Sequence, residues 1–156
     1  MKLLFICTHN RCRSILAEAV TNHYGKGILT AKSAGSQPVG EVHPLSLRFL
    51  SEQHIPTAGL TSQSWDDHQS WQPDVVITVC DAAAGESCPS WFGHALKVHW
   101  GLVDPSQLQG SEADIANAFK QTIKLLQTRI EQLIAMDIGK REKNQWQTIF
   151  QQIGEQ

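Results

Sequence analysis

The stretch Leu3–Leu16, with the sequence LLFICTHNRCRSIL, decides the fold. It starts with the apolar run Leu3–Ile6, which predicts a short buried strand. The polar segment Cys7–Ser14 comes next, and the good helix formers of Ile15–Val20 predict a helix that stops near Gly25. A strand is therefore followed by a polar loop and then by a helix, and the rest of the chain repeats this alternation.

Further strands and helices are predicted downstream of this stretch. The β-branched run Asp74–Val79 is the strongest strand signal, and a start resembling a capping box at Ser111–Asp114 opens a long amphipathic helix. Strands alternating with helices imply a parallel sheet, so we expect an α/β three-layer sandwich: a four-stranded parallel sheet with helices on both faces. The other predicted elements are strands at Leu29–Ser33 and Ala95–His99 and a helix at Pro44–His54.

The end of the chain predicts one more helix. Lys140–Gln156 is polar, but Trp146, Ile149, Phe150 and Ile153 recur at helical spacing. This helix either packs on the body of the protein or binds a partner, and packing is favoured. Because no linker or repeat divides the chain, residues 1–156 are expected to form a single catalytic domain, with 140–156 as an additional C-terminal helix.

Composition narrows the class of protein. The chain has 156 residues, of which 41% are hydrophobic, enough for one domain with its own core. Thirteen Lys and Arg against fifteen Asp and Glu argue against a nucleic-acid binder. No apolar run approaches the roughly 20 residues that span a bilayer, and Met1–Ile6 is too short for a signal peptide. We expect a cytoplasmic protein, in which the four cysteines stay reduced and serve catalysis, redox chemistry or metal binding.

The loop Cys7–Ser14 has the pattern Cys-x5-Arg-Ser and predicts a site for a tetrahedral oxyanion. Backbone N–H groups of a loop that enters a helix form an anion cradle, so every residue from Thr8 to Ser14 is a candidate contact. Arg13 can add bidentate hydrogen bonds, and its charge should lower the pKa of the Cys7 thiol. Ser14 can donate to the Cys7 sulfur, and Asn10 can tie the loop together. The pattern favours an activated thiolate that attacks phosphorus or arsenic.

Other interpretations of these residues remain open. Cys7 could be an inert buried thiol at a strand end, with Arg13 nearby by chance. Cys12 is better explained as a packed core thiol than as a redox group. His9 either tunes the thiolate or lies on the surface, and Arg11 adds positive charge at the mouth of the pocket.

At this point the sequence resembles the low-molecular-weight protein tyrosine phosphatase superfamily, whose loop Cys-x-x-Asn-x-Cys-Arg-Ser is matched by Cys7–Ser14. The segment Ser33–Gly35 also resembles the family's second strand and its exit. Two further stretches resemble the arsenate reductases that share this fold. One is Val79–Pro89, with Cys80 and Cys88 in a segment of small residues, and the other is His99–Pro105, with the pattern His-Trp-Gly-x-x-Asp-Pro.

The resemblance implies reduction of arsenate to arsenite. Cys7 would attack arsenic, with Arg13 holding the anion and Asp104 protonating the leaving hydroxide. Cys80 would then form a disulfide with Cys7, and Cys88 would move it to a Cys80–Cys88 disulfide. A small dithiol protein, which the resemblance implies is thioredoxin, would regenerate the thiols. Phosphate or sulfate would compete with arsenate. Cys80 and Cys88 are eight positions apart, one more than the resemblance to the thioredoxin-coupled type implies.

Two other functions share part of this machinery. A phosphatase acting on phosphotyrosine or small phosphoesters would use Cys7, Arg13 and Asp104, but it would leave Cys80 and Cys88 without a role. Ser106 and Gln107 follow the Asp-Pro, where such a phosphatase would carry aromatic residues. A non-enzymatic oxyanion-binding module would need neither Asp104, which can simply start a turn, nor the cysteine pair.

Metal and cofactor expectations are limited. No tightly bound cofactor is expected, and Cys80 and Cys88 lack the nearby partners of a zinc site. Some members of the family hold potassium beside the loop, and Asn10, Glu18 and Ser33 match the positions that serve it. Gln63 stands where those relatives use an acidic residue.

Overall fold

The computed structural model describes residues 1–86 and 89–156. Four strands alternate with five α-helices, and the predicted elements are found within a few residues of their expected bounds. The strands are β1 Lys2–Ile6, β2 Thr30–Ala34, β3 Val75–Thr78 and β4 Leu96–His99, and the helices are α1 Arg13–Tyr24, α2 Pro44–Glu52, α3 Asp81–Ala84, α4 Glu112–Ala135 and α5 Lys143–Gly154.

The strands form one parallel sheet in the order β2-β1-β3-β4, which confirms the predicted fold class. In the register of the sheet Ile6 pairs with Ala34 on one side and with Thr78 on the other. Leu3, Leu4, Phe5 and Ile6 are all buried. Since successive side chains of a strand point to opposite faces, both faces of β1 are covered. The carboxyl ends of all four strands therefore meet at one edge, with the loop after β1 near its middle.

Helix α4 begins where its sequence predicts. Ser111 is the N-cap, its hydroxyl accepts from the Asp114 amide, and the Asp114 carboxylate accepts from the Ser111 amide. The buried side of the helix carries the apolar positions of the sequence pattern, among them Phe119, Ile123 and Leu126. This side packs on α1 and α2, which closes the core over the start of the oxyanion loop.

The final helix α5 lies on β4 and α4. Phe150 and Ile153 are buried, and the Trp100 indole stacks on Phe150 and donates to its carbonyl at 2.9 Å. The buried Arg129 of α4 lies over the Trp100 ring and donates to the Gly154 carbonyl. The helix thus covers Trp100, the residue that follows β4. Over residues 1–86 and 89–156, no helix is both long and apolar enough to cross a membrane.

Candidate active site

The two nucleophile positions come together because of the sheet order. Cys7 directly follows β1, and Cys80 lies two residues after the end of β3. These strands are parallel neighbours, and the Val79 amide continues their pairing by donating to the Ile6 carbonyl at 3.0 Å. Cys7 and Cys80 therefore leave the same edge of the sheet side by side, although more than seventy positions separate them in the sequence.

The loop after β1 is held in place by hydrogen bonds that its carbonyl groups accept from another segment. The carbonyls of Thr8, His9 and Arg11 accept from the amides of three residues in the segment before α2. Because the N–H and C=O of a peptide unit point in opposite directions, this arrangement turns the loop amides toward its centre, as an anion cradle requires. The three donors are Gln37, Val39 and His43, at distances of 2.9, 3.2 and 2.9 Å.

Gly35 allows this close approach. A Cβ at Gly35 would lie 2.7 Å from the Cys7 carbonyl oxygen and closer still to the Thr8 carbonyl oxygen. Real Cβ atoms do not approach backbone oxygens so closely, so any larger residue would push the exit of β2 away from the loop. The Ser33–Gly35 segment, which the sequence related to the family's second strand, therefore has a direct steric role at the site.

Asn10 organises the inside of the loop. Asn10 is fully buried, and its backbone is in the left-handed region with φ of 47°, a conformation that Asn tolerates better than most residues. Its Nδ2 donates to Ser14 Oγ at 2.8 Å and to Ser33 Oγ at 3.0 Å, and its Oδ1 accepts from the Gln63 amide at 2.8 Å. Two of these three bonds go to side chains, those of Ser14 on α1 and Ser33 on β2, and the third comes from a backbone amide. Ser14 is bonded here to Asn10, and no bond from it to the Cys7 sulfur is found.

The same network contains the three residues that match the family's potassium positions. Ser33 donates to the Glu18 carboxylate at 2.6 Å, so Asn10, Ser33 and Glu18 are already bonded to one another. Burial raises the pKa of the Glu18 carboxyl, while the bond from Ser33 opposes that shift. Gln63 joins this network through its backbone amide, a hydrogen-bond donor that offers a cation no lone pair. This donor set does not fit a tight potassium site.

Arg13 starts α1 and faces the carboxyl edge of the sheet. Its Nη1 donates to the Leu102 carbonyl at 3.1 Å, and its Nη2 lies 3.7 Å from Asp104 Oδ2. The Nε–H is buried and finds no acceptor among the residues that the structure describes. A partly buried guanidinium with an unused N–H is suited to donate to an oxyanion oxygen.

Asp104 caps a turn and also lies beside Arg13. Its Oδ1 accepts from the amide and the hydroxyl of Ser106 at 2.9 and 2.6 Å, so it does cap the short turn Pro105–Gln107. Its Oδ2 points to the ion pair with Arg13. One carboxylate oxygen is therefore fixed by the turn, and the other is held beside the group expected to bind the anion.

The two thiols interact directly. The hydrogen bond with Cys7 is the largest cause that lowers the pKa of Cys80 to about 5, and the same bond together with burial raises the pKa of Cys7. The charge of Arg13 does act to lower the pKa of Cys7, as the sequence suggested, but the nearby Cys80 outweighs it. The expectation of a lowered Cys7 pKa was wrong for the free protein, because the two sulfurs share one proton.

Cys80 is also stabilised by the start of α3. Its sulfur is the N-cap of this one-turn helix and accepts from the Ala83 amide at 3.4 Å. The Thr8 hydroxyl lies 3.8 Å from the same sulfur and donates to Glu86 Oε1 at 2.8 Å. Sequence patterns gave no signal for the Thr8–Glu86 bond, because it joins the oxyanion loop to a residue on another element.

The remaining loop residues occupy less central positions. Cys12 is buried, and burial raises its pKa to about 11, which suits a packed and inert thiol. His9 is exposed and its ring nitrogen lies 3.2 Å from the Gln37 carbonyl oxygen, whereas Arg11 is partly exposed. These two side chains are therefore surface features of the loop.

The sequence patterns also did not predict a row of three linked polar side chains beside the site. Asp81 Oδ1 lies 3.0 Å from His99 Nε2, and His99 Nδ1 lies 2.8 Å from the Thr78 hydroxyl. It connects the first residue of α3 to the ends of β3 and β4. His99 belongs to the His-Trp-Gly stretch noted in the sequence, but nothing there indicated its partner.

The predicted third thiol, Cys88, lies outside the described residues. Within residues 1–86 and 89–156, no group of three or more His, Cys, Asp or Glu side chains is arranged to hold a metal ion. The site consists, as far as it is described, of an anion cradle, a guanidinium, a carboxylate and two coupled thiols.

Residues 2–145 match a family model described as low molecular weight phosphotyrosine protein phosphatase. The chain belongs to this family. The chain is also similar to the arsenate reductase of Staphylococcus xylosus, with 37% identity over 114 residues, which cover 70% of this chain and 82% of the relative. The family match extends from the first strand into the start of α5.

Solved structures of similar proteins have the same fold. An arsenate reductase in the reduced state superposes with a TM-score of 0.68 at 28% identity, covering 86% of this chain and 97% of that chain. A thioredoxin-dependent arsenate reductase of Corynebacterium glutamicum gives a TM-score of 0.60 at 30% identity, covering 83% of this chain and 61% of that one.

Proposed function

We propose that this protein is an arsenate reductase that converts arsenate to arsenite with its own thiols. The observation that carries the proposal is the placement of Cys7 and Cys80 side by side, after the paired strands β1 and β3, at one edge of the sheet. Hydrolysis of a phosphoester needs one nucleophile, whereas reduction of arsenate consumes two electrons, which two thiols supply by forming a disulfide. The likeness to enzymes named arsenate reductase supports the same conclusion.

The first step is attack of the Cys7 sulfur on arsenic. Arsenate would bind to the amides of the loop and to Arg13, and phosphate or sulfate would compete for the same contacts. Because the thiol pair shares one proton, Cys80 can accept the proton of Cys7 as the S–As bond forms. Asp104 would donate a proton to the departing oxygen, which leaves as water.

The second step transfers the electrons. Cys80 passes the proton that it took from Cys7 to an oxygen on arsenic and attacks the Cys7 sulfur as the thiolate. The S–S bond forms, and the S–As bond breaks with its electron pair left on arsenic. Arsenic is thereby reduced from the pentavalent to the trivalent state and leaves as arsenite, while two thiols become a disulfide. The hydrogen bonds that stabilise the Cys80 thiolate prepare it for this attack.

The third step regenerates the active thiols. Cys88 would attack Cys80, release Cys7 and form a Cys80–Cys88 disulfide, which thioredoxin or another small dithiol protein would reduce by thiol–disulfide exchange. The small side chains of Asp81–Gly85 suit a segment that has to rearrange for this transfer. The identity of the reductant follows from the resemblance alone and is part of the proposal.

A coupled assay tests the proposal. The reduced protein is incubated with arsenate, thioredoxin, thioredoxin reductase and NADPH, and the loss of NADPH is followed. We expect turnover in the wild type and none in Cys7→Ser or Cys80→Ser. Cys88→Ser should release at most one arsenite per protein and accumulate a Cys7–Cys80 disulfide, detected by mass spectrometry of peptides. Cys12→Ser is the matched control and should turn over normally.

Other outcomes would replace the proposal. Hydrolysis of an aryl phosphate without arsenate turnover would make the protein a phosphatase. Arsenate binding with neither activity would make it an oxyanion-binding module. Normal turnover by Cys88→Ser with thioredoxin would exclude the relay through Cys88 while leaving the Cys7–Cys80 step intact.

A further inference from the structure

Glu86 places a carboxylate at the edge of a loop built to bind anions. Its Oε1 accepts from the Thr8 hydroxyl at 2.8 Å, and Thr8 is the first residue of the loop after Cys7. The contact is partly buried, so its charge is only partly screened by water. A negatively charged side chain here opposes anion binding, and the mechanism described above does not use it.

The contact decides where the Thr8 proton points. A hydroxyl has one proton to donate, and a carboxylate can only accept. Thr8 Oγ1 lies 3.8 Å from the Cys80 sulfur, so the same proton would be available to Cys80 if Glu86 withdrew. The Glu86 bond is the shorter of the two, so it takes most of the Thr8 proton, and the Thr8–Cys80 hydrogen bond, which helps to lower the pKa of Cys80, stays long at 3.8 Å.

The contact also holds the redox segment. Glu86 lies just after α3, so its bond ties the segment Asp81–Glu86 to the oxyanion loop. The other described attachments of this segment include the Cys80–Ala83 bond, the exposed Asp81–His99 pair and the buried side chain of Ala83. Disulfide formation at Cys80 removes the thiolate that caps α3, so the segment must be able to leave its present position.

We propose that Glu86 is a positioning residue that acts through Thr8 and is displaced when an oxyanion enters the loop. The inference rests on the proposed function. Repulsion between the anion and the Glu86 carboxylate breaks the Thr8–Glu86 bond, which releases Asp81–Glu86 and lets Thr8 donate to the Cys80 thiolate. The segment that carries Cys80 is thereby released only in protein that already holds its substrate. When no substrate is bound, an unproductive reaction of Cys80 is disfavoured.

Hydrogen exchange with inorganic phosphate tests this inference without any turnover. Phosphate saturation is checked from its effect on thermal unfolding. In the wild type we expect the amides of residues 81–86 to exchange several-fold faster with saturating phosphate. In Glu86→Ala and in Thr8→Val they should exchange fast already, with no further response. Glu41→Ala, at an exposed position of the loop before α2, should behave as the wild type.

Glu86→Gln separates charge from hydrogen bonding, because a Gln carbonyl can still accept from Thr8. We expect this variant to bind phosphate roughly three- to thirty-fold more tightly and to lose most of the exchange response. Unchanged or slower exchange of 81–86 in phosphate-bound wild type would overturn the inference, as would a full response in Glu86→Ala. A positive exchange result in a protein that does not reduce arsenate would contradict the proposed function instead.

Discussion

At the scale of single residues, the chemistry depends on one proton shared between Cys7 and Cys80. The pKa of each thiol depends on the other, because the hydrogen bond that lowers the pKa of Cys80 to about 5 also raises the pKa of Cys7. The pair therefore carries one negative charge at neutral pH, and that charge can sit on either sulfur as the reaction requires.

This pairing predicts a pH dependence of stability. Between pH 5 and the ordinary thiol value of 9.0, the folded protein binds fewer protons at Cys80 than the unfolded chain does. Stability from this group is therefore complete above pH 9.0 and is lost as the pH falls through 5. We expect the difference in free energy of unfolding between wild type and Cys80→Ser to grow as pH rises through this window, measured by urea unfolding under reducing conditions. A pH-independent difference would contradict the pairing.

The reactivity of Cys7 gives a second measurement of the same pair. Removing Cys80 removes the hydrogen bond and charge that raise the Cys7 pKa, while Arg13 remains. We expect Cys7 in Cys80→Ser to be alkylated at lower pH than Cys7 in the wild type, followed by mass spectrometry of the Cys7 peptide. Arg13→Ala added to Cys80→Ser should move the profile back to higher pH.

At the scale of elements, the exit of β2 contacts the loop directly, and α5 packs on β4, whose following segment contacts Arg13. Gly35 lets the exit of β2 touch the loop carbonyls. Helix α5 covers Trp100, and two residues after Trp100 the Leu102 carbonyl accepts a hydrogen bond from Arg13 Nη1. The loop is therefore shaped from outside by elements that carry none of the reacting groups.

Gly35→Ala tests the β2 contact. The added Cβ meets two backbone oxygens that cannot move without opening the loop, so we expect about 1–3 kcal/mol of destabilisation. Phosphate affinity should fall in parallel, measured by its stabilising effect. Gly85→Ala is the folding control, because there the nearest atom to an added Cβ is 3.7 Å away. Equal phosphate binding in Gly35→Ala and wild type would show that the loop does not need this approach.

Phe150→Ala tests the α5 contact. Phe150 is fully buried and stacks on Trp100, so the cavity left by truncation should cost about 3–5 kcal/mol, measured by urea unfolding. Gln151→Ala, at the exposed neighbouring position, should change stability by less than about 0.5 kcal/mol. A small effect of Phe150→Ala would indicate that α5 is not part of the folding unit.

At the scale of the whole molecule, the parallel sheet brings three distant segments to one edge. The loop after β1, the segment after β3 and the turn after β4 supply Cys7, Cys80 and Asp104 respectively. Because anion binding uses contacts made only in the folded chain, a bound oxyanion should stabilise the entire domain.

We therefore expect phosphate to raise the free energy of unfolding by about 2.7 kcal/mol at one hundred times its dissociation constant. Arg13→Ala should abolish most of this effect, measured by thermal or urea unfolding with and without phosphate. The matched control is Arg48→Ala, since Arg48 is exposed on α2 and paired with Glu52. If both variants kept the full stabilisation, the anion would not be bound at the predicted loop.

Much of this arrangement could be predicted from local patterns. The β-branched run before Cys80 forms β3, the Ser111 capping box starts α4, and the Cys-x5-Arg-Ser segment forms the loop between β1 and α1. These features succeed because hydrophobic periodicity and capping act over a few neighbouring residues. The relay through Cys88 was likewise suggested by the sequence and stays a prediction.

What the sequence by itself determined was the alternation of strands and helices, and it predicted the reacting groups that these elements carry. Only the tertiary structure decided that Cys80 governs the pKa of Cys7, that Asn10 joins Ser14 to Ser33, and that Glu86 holds Thr8. The physical reason is range. Propensity and periodicity are local, whereas a hydrogen bond, a shared proton or a steric limit depends on distances between segments that only the folded sheet brings together.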